Sequence, residues 1–370
     1  MLSLFKEDEK PISKEFVLQR GKDILGSFLN KGVIPSWEEF YHELPLLGDE
    51  EDLQSIKDFF QKLTNWNFLE PLIQEDFTEI IFHSPDQIQM ITFSGHKMRG
   101  HVPIANEDWQ LWLEIISIRF KQNWNVQEPF SSFYADLLNK KFRITLIHGS
   151  TSPTNFSKMT LRSIAARPHH VSTFGNVSQL KALVRDKKNI LIAGSTGSGK
   201  TSILTSLLNE IDSDEHLIVL EDTYEILFPH LNQTRFLAGK TEATSLKSYL
   251  AYSLRLTPDR IILGEMRSHE VVPFLMAMNT GHKGLMGTIH ASSAADALNR
   301  IALLFSLYSG EVGINFEKVM ELVCRNLEYV VFMENKKIKE MIKILGSDKG
   351  VPFFEIETNL KERDKEFNLF

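Results

Sequence analysis

Eight consecutive residues, Gly194-Ser195-Thr196-Gly197-Ser198-Gly199-Lys200-Thr201, match the spacing G-x-x-x-x-G-K-[ST] at every fixed position. Glycines without side chains let successive backbone N–H groups curl around phosphate, and the N-terminus of a following helix adds its partial positive charge. In such a loop Lys200 reaches the β- and γ-phosphates and the Thr201 hydroxyl ligates Mg2+. The chain is expected to bind a nucleoside triphosphate.

A phosphate loop needs an acidic strand end nearby to hold Mg2+ and orient the attacking water. Two segments qualify. Arg260-Ile261-Ile262-Leu263 runs into Gly264-Glu265-Met266-Arg267, with glycine where an aspartate ordinarily stands, so Glu265 is the candidate carboxylate. His216-Leu217-Ile218-Val219-Leu220 runs into Glu221-Asp222-Thr223-Tyr224-Glu225. Parallel strands place both clusters at the carboxyl edge of a sheet, where α/β folds bind ligands. Gly287-Thr288-Ile289-His290-Ala291 reads as a short strand ending in His290 at the same edge, positioned to report the γ-phosphate. His282 and His290, eight apart, are not spaced as a metal pair on one helix face.

The elements that hold these groups show as alternation. Asn189–Ala193 is a strand feeding the loop, and a helix leaves it with Ile203, Leu204, Leu207, Leu208 and Ile211 on one face. Leu217–Leu220 and Ile261–Leu263 are further strands, which predicts an α/β fold with a parallel sheet between helices. This domain spans 177–370 and ends in helices and a tail. Residues 67–165 read as a smaller α+β domain. Its strands are Thr78–Phe82, Ile88–Phe93, Phe142–Ile147 and Met159–Arg162, with a turn at Ser84-Pro85-Asp86 and a helix over Trp109–Phe120. Residues 166–176, with Pro168-His169-His170, read as a linker. Residues 1–66 form an acidic helical extension, with apolar rows at Phe16, Leu18, Ile24, Leu25, Phe28, Leu29 and at Ile56, Phe59, Phe60, Leu63. Gly32, Pro35, Pro45, Gly48 and the run Asp49–Asp52 punctuate it.

Composition narrows the classes. At 42% hydrophobic and 24% charged the chain is globular rather than disordered. Its first sixty residues hold 13 acids and 7 bases, which is nearly all of the formal −7. That balance argues against a binder that relies on broad basic surface, and against the rival reading of a nucleic-acid-dependent helicase or translocase. With Cys324 the single cysteine, no intramolecular disulfide and no multi-cysteine zinc site can form, and a reducing compartment is expected. No apolar run reaches the ~20 residues of a membrane span; Val271–Met278 and Ile301–Tyr308 read as buried helix. The start MLSLF meets Lys6-Glu7-Asp8-Glu9 at once, so no signal-peptide core is expected.

The series GSTGSGKT, LEDTYE, LRLTPDRIILGEMR and AMNTGHKGLMGTIHA resembles the traffic ATPases of type II and type IV secretion and of type IV pili. These share a Walker A loop, an Asp box, a Gly-Glu Walker B and a His box in this order. The wording of AMNTGH…TIHA is closest to the tight-adherence pilus (CpaF-type) branch, with the conjugation-type secretion ATPases next. Upstream, Leu69–Pro85, Phe142-Arg143-Ile144 and Thr160-Leu161-Arg162 are similar to the family's N-terminal domain. The resemblance implies a RecA-like P-loop domain preceded by a PAS-like α+β domain. It implies ATP and Mg2+ bound over Gly194–Ser202, with Glu265 acting on Mg2+ or the lytic water, Glu225 as a second candidate base and His290 as sensor. Arg143 and Arg162 would contact nucleotide phosphates across a domain cleft; Arg255 and Arg267 would be further candidate catalytic arginines, acting at a subunit boundary. The implied assembly is a homo-hexameric, ATP-hydrolysing motor. It would sit in the cytoplasm, peripheral to the inner membrane, docked on a platform protein of a pilus or secretion machine, without direct nucleic-acid contact. Departures are Ser195 and Ser202 in the loop, Asn139-Lys140-Lys141 without the family's glycine before Arg143, and no tetracysteine insert, which disfavours the type II branch.

Overall fold

Chain contacts divide the protein into two units, Met1–Ile164 and Ala165–Phe370. The computed structural model describes residues 14–44, 50–65, 67–74, 77–92, 96–164, 170–175, 177–239, 241–310 and 313–357. Lys6–Glu9, Pro45, Gly48, Asp49, Phe93, Pro168, His169 and the last thirteen residues of the tail lie outside these.

The first unit has helices α1 (Lys14–Asn30), α2 (Trp37–His42), α3 (Glu50–Thr64), α4 (Glu70–Gln74) and α5 (Trp109–Arg119). Its strands are β1 (Phe77–Ser84), β2 (Gln87–Thr92), β3 (Lys97–Gly100), β4 (Phe130–Leu137), β5 (Lys140–Ile147) and β6 (Lys158–Ile164). They form an antiparallel sheet in the order β3-β2-β1-β6-β5-β4. Ser36 and Glu39 close a reciprocal capping box that starts α2. Leu25, Phe40, Ile56 and Leu63 of the acidic helices lie in one hydrophobic cluster with Phe82, Trp109, Trp112, Phe142 and Leu161 of the sheet and α5. Helices α1, α2 and α3 thus share a core with the sheet. The β4–β5 turn, which lacks the family's glycine, is closed by Leu138 and Asn139 in left-handed conformation, at φ 51° and 63°.

The second unit contains α6 (Ser178–Arg185), β7 (Ile190–Gly194), α7 (Lys200–Leu207), β8 (Leu217–Glu221), β9 (Gln233–Leu237), α8 (Leu246–Ser253), β10 (Arg260–Met266), α9 (Val271–Asn279), β11 (Met286–His290), α10 (Ala294–Tyr308) and α11 (Phe316–Asn326), then β12 (Tyr329–Glu334), β13 (Lys337–Asp348) and β14 (Val351–Ile356). The sheet order is β14-β13-β12-β7-β11-β10-β8-β9, parallel from β12 to β9 and antiparallel through β13 and β14. The expected parallel sheet is therefore mixed. Its C-terminal portion, expected as helices and a tail, returns as three strands after α11. Strands β7 and β8 are buried at every residue, as a sheet covered on both faces requires. Within the segment read as a linker, Val171 and Phe174 form a short turn buried in the core around β7 and α7.

Candidate functional site

The phosphate loop stands between the end of β7 and the start of α7, as its motif demands. Gly194 has no room for a side chain: a Cβ there would lie 2.5 Å from the Met333 carbonyl oxygen and 2.4 Å from Ser198 Oγ. Gly199 adopts φ 98°, a left-handed conformation that glycine tolerates and that turns the chain into α7. Ile203, Leu204, Leu207 and Leu208 are fully buried, so α7 is pinned to the sheet and its N-terminus is aimed by packing. Lys200 is 7% exposed, and its Nζ donates to the carbonyls of Gly194 (3.0 Å) and Ser195 (2.8 Å). Ser198 Oγ is buried and takes no hydrogen bond among the described residues.

The three predicted strand ends meet here. Lys200 Nζ lies 3.3 Å from His290 Nδ1, and His290 Nε2 lies 2.9 Å from Glu265 Oε1. Arg267 donates to Glu265 Oε2 at 2.6 Å and to Asp222 at 2.8 Å, which ties the Walker B end to the Asp box. The β10–β11 register shifts between Leu263 and Met266, one extra residue on β10, and this bulge re-aims Glu265. Gly264 within it is crowded: a Cβ there would lie 3.2 Å from Glu221 Cγ, so a neighbour would have to give by a few tenths of an ångström. Burial pushes the Glu265 carboxyl up, but the Arg267 hydrogen bond and the charges of Arg267, His290 and Lys200 outweigh it and hold it below its ordinary value. Burial, then the Lys200 charge, lower His290 despite Glu265. Glu265 Oε1 is buried and takes no well-aligned hydrogen bond in this arrangement.

In the Asp box the structure singles out Glu221, which motif reading passed over. It is 3% exposed; its Oε1 accepts the N–H groups of Glu225 (2.9 Å) and Ile226 (2.7 Å), and its Oε2 accepts from Arg235 (3.0 Å). Burial drives its carboxyl up to about 7, against the pull of those N–H groups and of Arg235. Glu225 is half-buried, and its charge is among those that raise Arg267. Glu270, also buried, accepts from the N–H groups of Arg267 and Ser268 and so fixes the loop after β10.

Three predicted arginines lie outside this network. Arg255 is exposed after α8 with its guanidinium over the Tyr252 ring, 5.9 Å from the centroid. Arg143 on β5 and Arg162 on β6 are cross-strand partners on the sheet face opposite the first unit's core. Like charges placed so repel, and an anion between them would relieve that.

A model of the family described as type II/IV secretion system protein matches residues 150–336. The type IV secretion system protein VirB11 of Bartonella henselae is 32% identical over 318 residues, covering 74% of this chain and 88% of its own. The chain belongs to this family, the type II/IV secretion system ATPases. A conjugal transfer protein of Mycobacterium tuberculosis is 26% identical over 279 residues, 71% of this chain and 79% of its own. The crystal structure of the pilus retraction motor PilT with bound ADP shares the fold at TM-score 0.56, with 21% identity, over 78% of this chain and 80% of its own. In this secretion ATPase no described helix is long and apolar enough to cross a membrane.

Proposed function

We propose that the protein is the ATP-hydrolysing motor of a type IV secretion or conjugation machine, working as a homo-hexamer on the cytoplasmic face of the inner membrane against a platform protein. The observation that carries the reading is the Lys200–His290–Glu265–Arg267–Asp222 series, which joins the phosphate loop to both acidic strand ends. The relatives' secretion and conjugal-transfer names support this branch; the tight-adherence reading rests on the wording of one motif.

Lys200 now holds carbonyls of its own loop. A γ-phosphate within reach of Lys200 Nζ competes for it with these carbonyls and with His290. The residues present fit Mg2+: Thr201 opens α7 beside the loop, and Glu265 Oε1 is a buried acceptor without an aligned donor. Among the described residues no cluster of three His, Cys, Asp or Glu could cage a metal, as suits an ion held mainly by phosphate and water. When bound, Mg2+ neutralises charge developing on the phosphates. Glu265 or Glu225 accepts the proton of the attacking water.

Replacing Lys200 by Ala is expected to lower Mg2+-dependent phosphate release from ATP by at least about a hundredfold. Unchanged release from a folded variant would refute the assignment.

A further inference from the structure

We infer that Glu221, clamped by Arg235, is a positioning residue that seats Glu225 for the reaction. The inference rests on the ATPase reading above. Glu221 ends β8, and its two carboxylate oxygens are divided between two tasks. Oε1 receives the N–H of Glu225 itself and of the next residue, Ile226, at 2.9 and 2.7 Å. Two consecutive amides anchored on one buried oxygen fix the peptide planes on both sides of the Glu225 Cα, and with them the direction in which its side chain leaves the loop. Oε2 receives Arg235 from the neighbouring edge strand β9 at 3.0 Å. Arg235 then spans the whole segment: its NH2 donates to the Phe228 carbonyl at 3.4 Å, and its guanidinium covers the Tyr224 ring at 4.9 Å.

The clamp also touches the other carboxylate strand. Gly264, one residue before Glu265, is the position where any Cβ would press on Glu221 Cγ. A side chain at this position would crowd Glu221. The Glu225 charge is among those that raise Arg267, while Glu221 faces inward at 3% exposure, shielded from substrate.

Steady-state ATP hydrolysis by the full chain is measured for Glu221→Ala, Glu221→Gln and Arg235→Gln, with amide hydrogen exchange followed over residues 222–228. Glu221→Ala is expected to lower kcat by about tenfold or more while KM for ATP stays within about threefold, because a misplaced group loses rate rather than nucleotide affinity. Exchange at Glu225 and Ile226 should quicken in step. Glu221→Gln keeps an acceptor oxygen for both amides but offers Arg235 an NH2 in place of Oε2, and should hold the amides' protection with kcat no lower than that of Arg235→Gln. Arg235→Gln, on an edge strand, should slow kcat by about threefold to tenfold at unchanged KM. The inference is overturned if Glu221→Ala turns over within twofold of wild type, if KM absorbs the loss, or if Glu221→Gln is as slow as Glu221→Ala. Should Glu221→Ala not fold, a normal kcat in Arg235→Gln overturns it. A wild-type chain with no ATPase activity refutes the functional reading itself, a different result from equal activity in wild type and variant.

Discussion

At the scale of single residues, pH dependence concentrates on Glu221. Its carboxyl is driven to about 7 first by burial and also by the Glu225 charge, although Ile226, Glu225 and Arg235 donate to it. A carboxyl held above its unfolded value adds stability that is complete below that unfolded value and is lost as pH rises through the folded one. Between about pH 5 and pH 8 the wild type should therefore lose roughly 2–3 kcal/mol of stability relative to Glu221→Gln, which cannot titrate. Urea unfolding of both proteins at the two pH values checks this. Parallel changes in the two proteins would show that Glu221 is ionised throughout. The spacing left the Glu221–Glu225 cluster open, and the family resemblance pointed to Glu225 as the last residue of the Asp box. Glu221 acquires its role from Arg235 and Gly264, fourteen and forty-three residues away, and no local pattern displays that.

At the scale of elements, the phosphate loop, β7, β8, β10 and β11 were legible because each is a short apolar run ending in a chemically distinctive group. Strand β4 was not: its inward residues include Ser131 and Ala135 beside Phe133 and Leu137, while Phe130 faces out, so its alternation is blurred. Strand β13 was hidden by Lys337, Lys339, Glu340 and Lys343, a composition that suits a helix equally well. Its turn, Asn335-Lys336, takes φ 50° and 60° without a glycine to announce it. That hairpin matters to the site, since the Lys336 N–H donates to the Ser198 carbonyl of the phosphate loop. The bulge in β10 gives the test at this scale. Gly264→Ala puts a Cβ 3.2 Å from Glu221 Cγ and 3.4 Å from the Leu220 carbonyl, close enough that a neighbour must shift. Overpacking of this kind costs about 1–3 kcal/mol. The variant is expected to melt at lower temperature and to hydrolyse ATP several-fold more slowly, while still binding ADP. Calorimetry and kinetics on one preparation check both halves, and a variant with normal melting and turnover would show that the bulge has slack.

At the scale of the whole molecule, a motor needs contacts that differ between nucleotide states, because a ligand without differential contacts shifts nothing. Within one chain, Arg267 is already committed to Glu265 and Asp222. Arg255 is not: it stands exposed beside Tyr252 and forms no ion pair among the described residues. An arginine so placed suits a phosphate presented by a neighbouring copy, which is how a ring would couple one site to the next. Light scattering with a non-hydrolysable ATP analogue and Mg2+ is expected to give six times the chain mass. ATPase activity per chain should then rise with protein concentration in step with that mass. Arg255→Ala should assemble and bind nucleotide, yet its activity per chain should stay low and flat across the same concentrations. If wild-type activity per chain is instead constant from monomer to oligomer, each site is complete in its own chain and Arg255 has no role across a boundary.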